Sequence, residues 1–184
     1  GYYMCGIVGY TGFRNATPIL LDGLINLEPR GYDSAGIYVD GAGCLKSVGA
    51  PQELAKKVVS DFSGTTGIAH NRWSTSGVAN EVNAHPHHDC TQSLWLVHNG
   101  KIDNDQELKA RLIEEGHEFT SDTDSEILVH LIEGEIEKTG DIERAVTNSL
   151  KMIRGTYGIV LASSAHPGML IAANLGSSVI IGIG

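Results

Sequence analysis

The chemistry of this chain is most visible at its beginning, in Met4-Cys5-Gly6. Removal of an N-terminal methionine requires a small residue after it. Cys5 can therefore become a terminal residue carrying both a thiol and a free α-amine. Such an amine titrates at about 7.7–8, so near neutral pH a useful fraction can accept a proton. One residue then supplies nucleophile and base together, with the thiolate as attacking species. The same three letters also suit a small buried cysteine at the head of a core strand. A second dense group of reactive side chains is His85, His87, His88, Asp89 and Cys90. A zinc site usually takes four tetrahedral ligands, and no second Cys or His pair stands at a supporting spacing. No metal is expected there, and nothing singles these histidines out as a switch near pH ~6.5.

The elements that must position these groups alternate only loosely. Gly6 to Tyr10 reads as a short apolar strand. Asn15 or Thr17 caps a helix with Pro18 in its first turn and Leu20, Leu24 and Leu27 at helical spacing. Ser34 to Val39 and Cys44 to Val48 flank Asp40-Gly41-Ala42-Gly43 as a hairpin. A helix is predicted over Pro51 to Asp61 and a strand over Thr65 to His70. The polar stretch Asn71 to Gln92 reads as a long loop, the kind of segment that often holds a site. Ser93 to His98 is a predicted strand, and Asp105 to Glu115, Thr123 or Asp124 to Glu137, and Asp141 to Ile153 are predicted helices. Three strands follow: Tyr157 to Ser163, Met169 to Ala173, and Val179 to Ile183. Blocks of strands and helices imply an α+β fold with mainly antiparallel sheet. A strand-like run at the end of the chain leads us to expect a domain incomplete at its C-terminus.

Bulk properties narrow the classes. The 184 residues are 41% hydrophobic and 19% charged, ordinary for a globular domain with its own core. No apolar run nears the roughly 20 residues a membrane helix needs, and Gly1 to Met4 lack the basic and apolar regions of a signal peptide. The net charge is −9, with 13 basic and 22 acidic side chains. No basic cluster is present, so nucleic-acid binding is not expected. Three sparse cysteines argue against a disulfide framework. The expectation is a soluble, cytoplasmic protein.

Further blocks follow Cys5-Gly6-Ile7-Val8-Gly9-Tyr10 in fixed order. They are Arg30-Gly31-Tyr32-Asp33-Ser34-Ala35-Gly36, His70-Asn71-Arg72-Trp73-Ser74-Thr75, Asn83-Ala84-His85-Pro86-His87, His98-Asn99-Gly100 and Ser121-Asp122-Thr123-Asp124. Together they resemble the glutaminase domain of class II (N-terminal nucleophile) glutamine amidotransferases across essentially the whole chain. The arginine block looks most like the branch of glucosamine-6-phosphate synthase.

That resemblance implies a four-layer αββα sandwich of two antiparallel sheets, the Ntn-hydrolase type, with Cys5 opening an inner strand. It implies hydrolysis of L-glutamine through a Cys5 thioester, with no cofactor and no metal. An oxyanion hole is expected at the Asn99 side chain and the Gly100 N–H, just past the end of an apolar strand. Arg72 is expected to hold the substrate carboxylate in a fork and Asp124 its ammonium. Trp73, Thr75 and His85 are expected to line the pocket, and Arg30 to help position the nucleophile. Each residue also has a plainer use: Asn99-Gly100 as a hairpin turn, Asp124 as a helix cap, Arg72 in a surface ion pair, Arg30 as a helix-end cation.

Several positions depart from the family pattern. Asn71, Ser74 and Ser76 stand where Thr, Ala and His are usual, and Pro29 where an aromatic is common. Ser76 can still donate a hydrogen bond in the pocket. Residues 5–184 are read as the glutaminase domain, separated here from the sugar-phosphate isomerase (synthase) domain that would receive ammonia, within a homo-oligomeric enzyme. An amidophosphoribosyltransferase branch, whose arginine block carries Gln where Tyr32 stands, and a silent glutamine-binding module are the competing readings. Gly1 to Tyr3 read as a remnant upstream of a native start at Met4. With residues 1–4 attached the Cys5 nitrogen is an amide and not a base, so the chain as written is expected to fold but to be largely inactive.

Overall fold

The computed structural model describes residues 5–74 and 78–183. Two four-stranded sheets face each other, and every strand pair in them is antiparallel. The first contains β1 (Gly6–Thr11), β2 (Ser34–Val39), β3 (Gly43–Val48) and β4 (Thr66–Arg72) in the order β1-β4-β2-β3. The second runs β5 (His87–His88), β6 (Leu94–Ile102), β7 (Gly155–Ser163) and β8 (Leu170–Leu175) in sequence order. Helices α1 (Ala16–Asn26) and α2 (Pro51–Lys57) pack on the first sheet, and α3 (Asp105–Glu114), α4 (Ser125–Thr139) and α5 (Ile142–Met152) on the second.

The period-two alternation of each strand divides its apolar residues between two cores. On β2, Ile37 and Val39 face α1 and α2, while Tyr38 faces the opposite sheet. On β6, Leu94 and Leu96 face the helices, while Trp95 and Val97 face inward. On β7, Ile159 and Leu161 join the helical side, and Val160 and Ala162 the inner one. Tyr38 and Trp95 stack across the gap with ring centroids 4.8 Å apart and planes within 11°. The four-layer αββα sandwich expected from the resemblance is the architecture observed. Among the described residues no helix is long and apolar enough to cross a membrane.

Local signals explain the element ends. Asn15 caps α1 by accepting the Thr17 N–H, and Asp141 caps α5 by accepting that of Arg144. Four expectations need correction. Helix α2 stops at Lys57 instead of Asp61, because the chain turns extended at Val58 and buries Phe62 against α1. The stretch from Asn71 to Gln92 is not all loop: Asn71 and Arg72 extend β4, and His87 and His88 pair with Leu96 and Trp95. Val179 to Ile183 forms no strand, and Ile180 and Ile183 are 94% and 99% exposed. Finally, β1 is an edge strand with β4 as its neighbour, not an inner one.

Strand β2 runs so close beneath the site that Gly36 has no room for a side chain. A Cβ there would collide with the His85 carbonyl oxygen. Gly36→Ala should therefore destabilise the fold by about 1–3 kcal/mol, as overpacking does. Urea denaturation reads this directly, and an unchanged midpoint would contradict the close approach.

Candidate active site

A cleft opens where the carboxyl end of β4, the start of β1, the far half of β6 and the start of α4 converge. Its lining includes Cys5, Arg72, Trp73, His85, Asn99, Gly100 and Asp124. These residues come from five segments far apart in the chain, so the two sheets must dock before the cleft exists.

Cys5 Sγ accepts the backbone N–H of Trp73 at 3.1 Å. Burial pushes its thiol up, against the lowering effects of that N–H and of the nearby Arg72 charge. Asn99 reaches from the opposite sheet, and its Nδ2 donates to the Cys5 carbonyl oxygen at 2.7 Å. The orientation of this amide is set by its other end, where Oδ1 lies 3.0 Å from His70 Nε2. His70 is wholly buried, which drives its pKa down to about 3. A neutral ring with its proton on Nε2 donates to Oδ1, and the amide nitrogen is then left to face Cys5. In the sequence His70 is a histidine on an apolar strand, with no sign of what lies across the sheets.

Asn99 and Gly100 lie inside β6, opposite Gly158 and Tyr157, and not beyond the strand end as expected. The strand continues because β7 pairs it to Ile102. Gly100 has φ 135°, and a Cβ there would meet the Thr156 carbonyl, so the position demands glycine. Arg72 is buried at the end of β4, and its Nη1 donates to the Val78 carbonyl at 3.4 Å. Cys5, Asp33 and Asp124 all act electrostatically on its guanidinium. Asp33, also unforeseen, accepts the Ser74 N–H at 2.6 Å and so anchors the segment whose Trp73 N–H meets Cys5. The Trp73 ring packs edge-on against Tyr32 with centroids 5.2 Å apart.

Asp124 stands at the N-cap of α4 without capping it; its Oδ2 accepts the Ile102 N–H at 2.9 Å. That bond ties the start of α4 to β6. His98 supports the same corner, with Nδ1 2.8 Å from Ser125 Oγ. His85 stacks on His70 at 4.0 Å and accepts the His98 N–H on Nδ1. Burial first, then neighbouring histidine charge, lowers its pKa well below the usual value.

Arg30 is exposed at the end of a 3₁₀ turn over Glu28–Arg30 and is not among the residues lining the cleft. Thr75 and Ser76 lie outside the described residues. Asn71 has a structural use: its Nδ2 donates to the carbonyls of Leu27 and Gly31 at 2.8 and 3.0 Å, fixing the connection that carries Arg30. The His85 to Cys90 group disperses. His87 Nε2 meets Thr123 Oγ1 at 2.9 Å, and Asp89 accepts the Leu94 N–H to close the β5–β6 turn. Cys44 packs with the inter-sheet core, and burial pushes its thiol up to about 11.

A family model described as a glutamine amidotransferase domain matches residues 70–178. The chain belongs to that family. This glutamine amidotransferase domain is 47% identical to the glutamine--fructose-6-phosphate aminotransferase (isomerizing) of Pyrococcus horikoshii, over 98% of this chain and 31% of the relative. The same-named protein of Escherichia coli K12 is 44% identical, over 98% and 30%. The chain thus spans about a third of the length of these relatives. A solved glutamine phosphoribosylpyrophosphate amidotransferase from B. subtilis superimposes with a TM-score of 0.74 at 29% identity, covering 91% of this chain and 36% of that one.

The buried imidazole beside Asn99 has a measurable signature. As pH falls, an unfolded His70 takes up a proton near pH ~6.5, whereas the folded one resists until about 3. Stability is therefore complete above pH ~6.5 and falls by about 1.4 kcal/mol per pH unit below it, for this histidine alone. His70→Gln, which can still donate to Asn99, should show a shallower loss between pH 7 and pH 5 in urea denaturation. Identical slopes would refute a neutral His70.

Proposed function

We propose that the domain hydrolyses the side-chain amide of L-glutamine to glutamate and ammonia through a thioester on Cys5. The observation that carries this reading is the convergence of Cys5, the Asn99 amide, Arg72 and Asp124 on one cleft. With Cys5 N-terminal, its amine takes the thiol proton and Sγ attacks the amide carbon. Negative charge grows on the former carbonyl oxygen, where Asn99 Nδ2 and the Gly100 N–H are the proposed donors. The amine returns its proton to the amide nitrogen, ammonia departs, and water then cleaves the thioester by the same route.

Arg72 supplies a fork for the α-carboxylate, and Asp124 a negative charge for the α-ammonium. Trp73 and His85 shape the pocket between them, with Thr75 and Ser76 proposed to complete it. The Trp73 N–H favours the thiolate that burial disfavours. Arg30 is assigned an indirect part, through the Gly31 connection that Asn71 holds against β4. No cofactor is needed for these steps.

Extension to the whole protein follows the relatives. We propose that the ammonia passes to a sugar-phosphate isomerase domain that aminates fructose 6-phosphate, in a cytoplasmic homo-oligomer. The higher identity to the aminotransferases, 47% against 29% for the phosphoribosyl enzyme, favours that acceptor.

The domain reading is tested by glutamate release from glutamine. A form beginning at Cys5 should turn over, and the form retaining residues 1–4 should not. Asn99→Ala should lower kcat by about 10²–10³-fold, and Arg72→Lys should act mainly on KM. Equal turnover with residues 1–4 intact would remove the amine from the mechanism. Glutamine binding without release from the Cys5 form would leave a binding module.

A further inference from the structure

Away from the cleft, the fold gathers four side chains that glutamine hydrolysis does not use. Cys90 follows β5, His117 lies between α3 and α4, and His130 and Glu133 sit one turn apart on α4. One donor atom from each lies within 4.8 Å of all the others. Cys90 Sγ is 3.8 Å from His117 Nδ1 and 3.6 Å from His130 Nδ1. Glu133 Oε2 is 2.8 and 3.1 Å from the same two nitrogens.

A tetrahedral ion with bonds of about 2.0–2.3 Å separates its ligands by about 3.3–3.6 Å. The sulfur–nitrogen distances lie at or just above that range, while the oxygen–nitrogen distances are hydrogen-bond lengths that an ion would widen to it. Both rings aim the same nitrogen, Nδ1, at the shared centre. Behind His130, Nε2 lies 3.4 Å from Glu126 Oε1, the carboxylate partner that commonly orients a ligating histidine. His130 and Glu133 are buried while Cys90 is exposed, which leaves a side for entry.

We propose that Cys90, His117, His130 and Glu133 bind one divalent ion of the zinc class. A thiolate with two imidazoles selects zinc over magnesium or calcium, and four protein donors leave no open position, the mark of a structural site. Binding frees the Cys90 thiol and both Nδ1 atoms of their protons, which pass to Nε2 where it is vacant and otherwise to solvent, and Glu126 accepts the Nε2 proton of His130. The ion then ties the β5–β6 turn and the chain between α3 and α4 to α4 itself. Glu126 also accepts the Ser121 N–H at 2.7 Å, so the bracing reaches the segment ending in Asp124.

The test is cobalt titration of the chelator-stripped chain carrying Cys5→Ser, which removes the thiol in the cleft. One equivalent should bind with tetrahedral ligand-field bands and a thiolate charge-transfer band, and zinc should displace it and raise the melting temperature. Cys90→Ser should abolish the charge-transfer band. His117→Gln should weaken binding by more than about tenfold, the least that losing even an outer partner costs. His166→Gln should change neither. Absence of stoichiometric binding, or a parent spectrum without the sulfur band, overturns the proposal even if a variant fails to fold. So does an unaltered band in folded Cys90→Ser.

Discussion

The site depends on one side-chain amide held between two sheets. Asn99 belongs to the second sheet, yet both ends of its amide bond to the first, one to His70 on β4 and the other to Cys5 ahead of β1. A primary amide is nearly symmetric in shape and opposite in polarity at its two ends. Its useful direction therefore has to be imposed from outside. Here a buried, neutral imidazole donates to the oxygen, and the nitrogen is left facing the Cys5 carbonyl. The stacked Tyr38 and Trp95 rings in the inter-sheet core help set the spacing that makes this bridge possible.

Around the bridge, two carboxylates are tied to backbone donors. Asp33 anchors the segment that brings a backbone N–H to the thiol, and Asp124 ties its helix to β6. Both carboxylates also lie near the Arg72 guanidinium. The charge at the cleft is thus held by backbone donors that already have work in the fold. These bonds are made before any ligand arrives, which is what oriented stabilisation of a growing charge requires.

Much of this was legible in the chain. Strand alternation in Ser34 to Val39 and the glycine-containing turn after Asp40 announced the first hairpin, and Asn15 and Asp141 announced their helices, because these signals are local. The blocks around Cys5, Arg72, Asn99 and Asp124 pointed to these residues through resemblance, and the structure brings them to one cleft. What stayed hidden depends on partners distant in sequence. Asn71 and Arg72 look like loop residues until their polar atoms find buried partners, and His87 and His88 look alike until one pairs with Thr123. Asp124 reads as a cap because nothing nearby discloses the Ile102 N–H. Val179 to Ile183 has strand composition, but a strand also needs a neighbour, and none is paired with it among the described residues. Cys90 and His130 approach across 40 positions, beyond what spacing rules of a short motif can register.

The same long reach bears on how the domain comes into being. The Asn99 to Cys5 bond joins residues 94 apart, and contacts of that span form only after the loop-closure entropy between them has been met. Hairpins such as β2–β3 and β7–β8 can form from neighbouring chain, but neither contains the site. Sheet content can therefore accumulate while the cleft is still absent. The cleft therefore comes into being only with docking of the two sheets, and not with the hairpins that supply their strands.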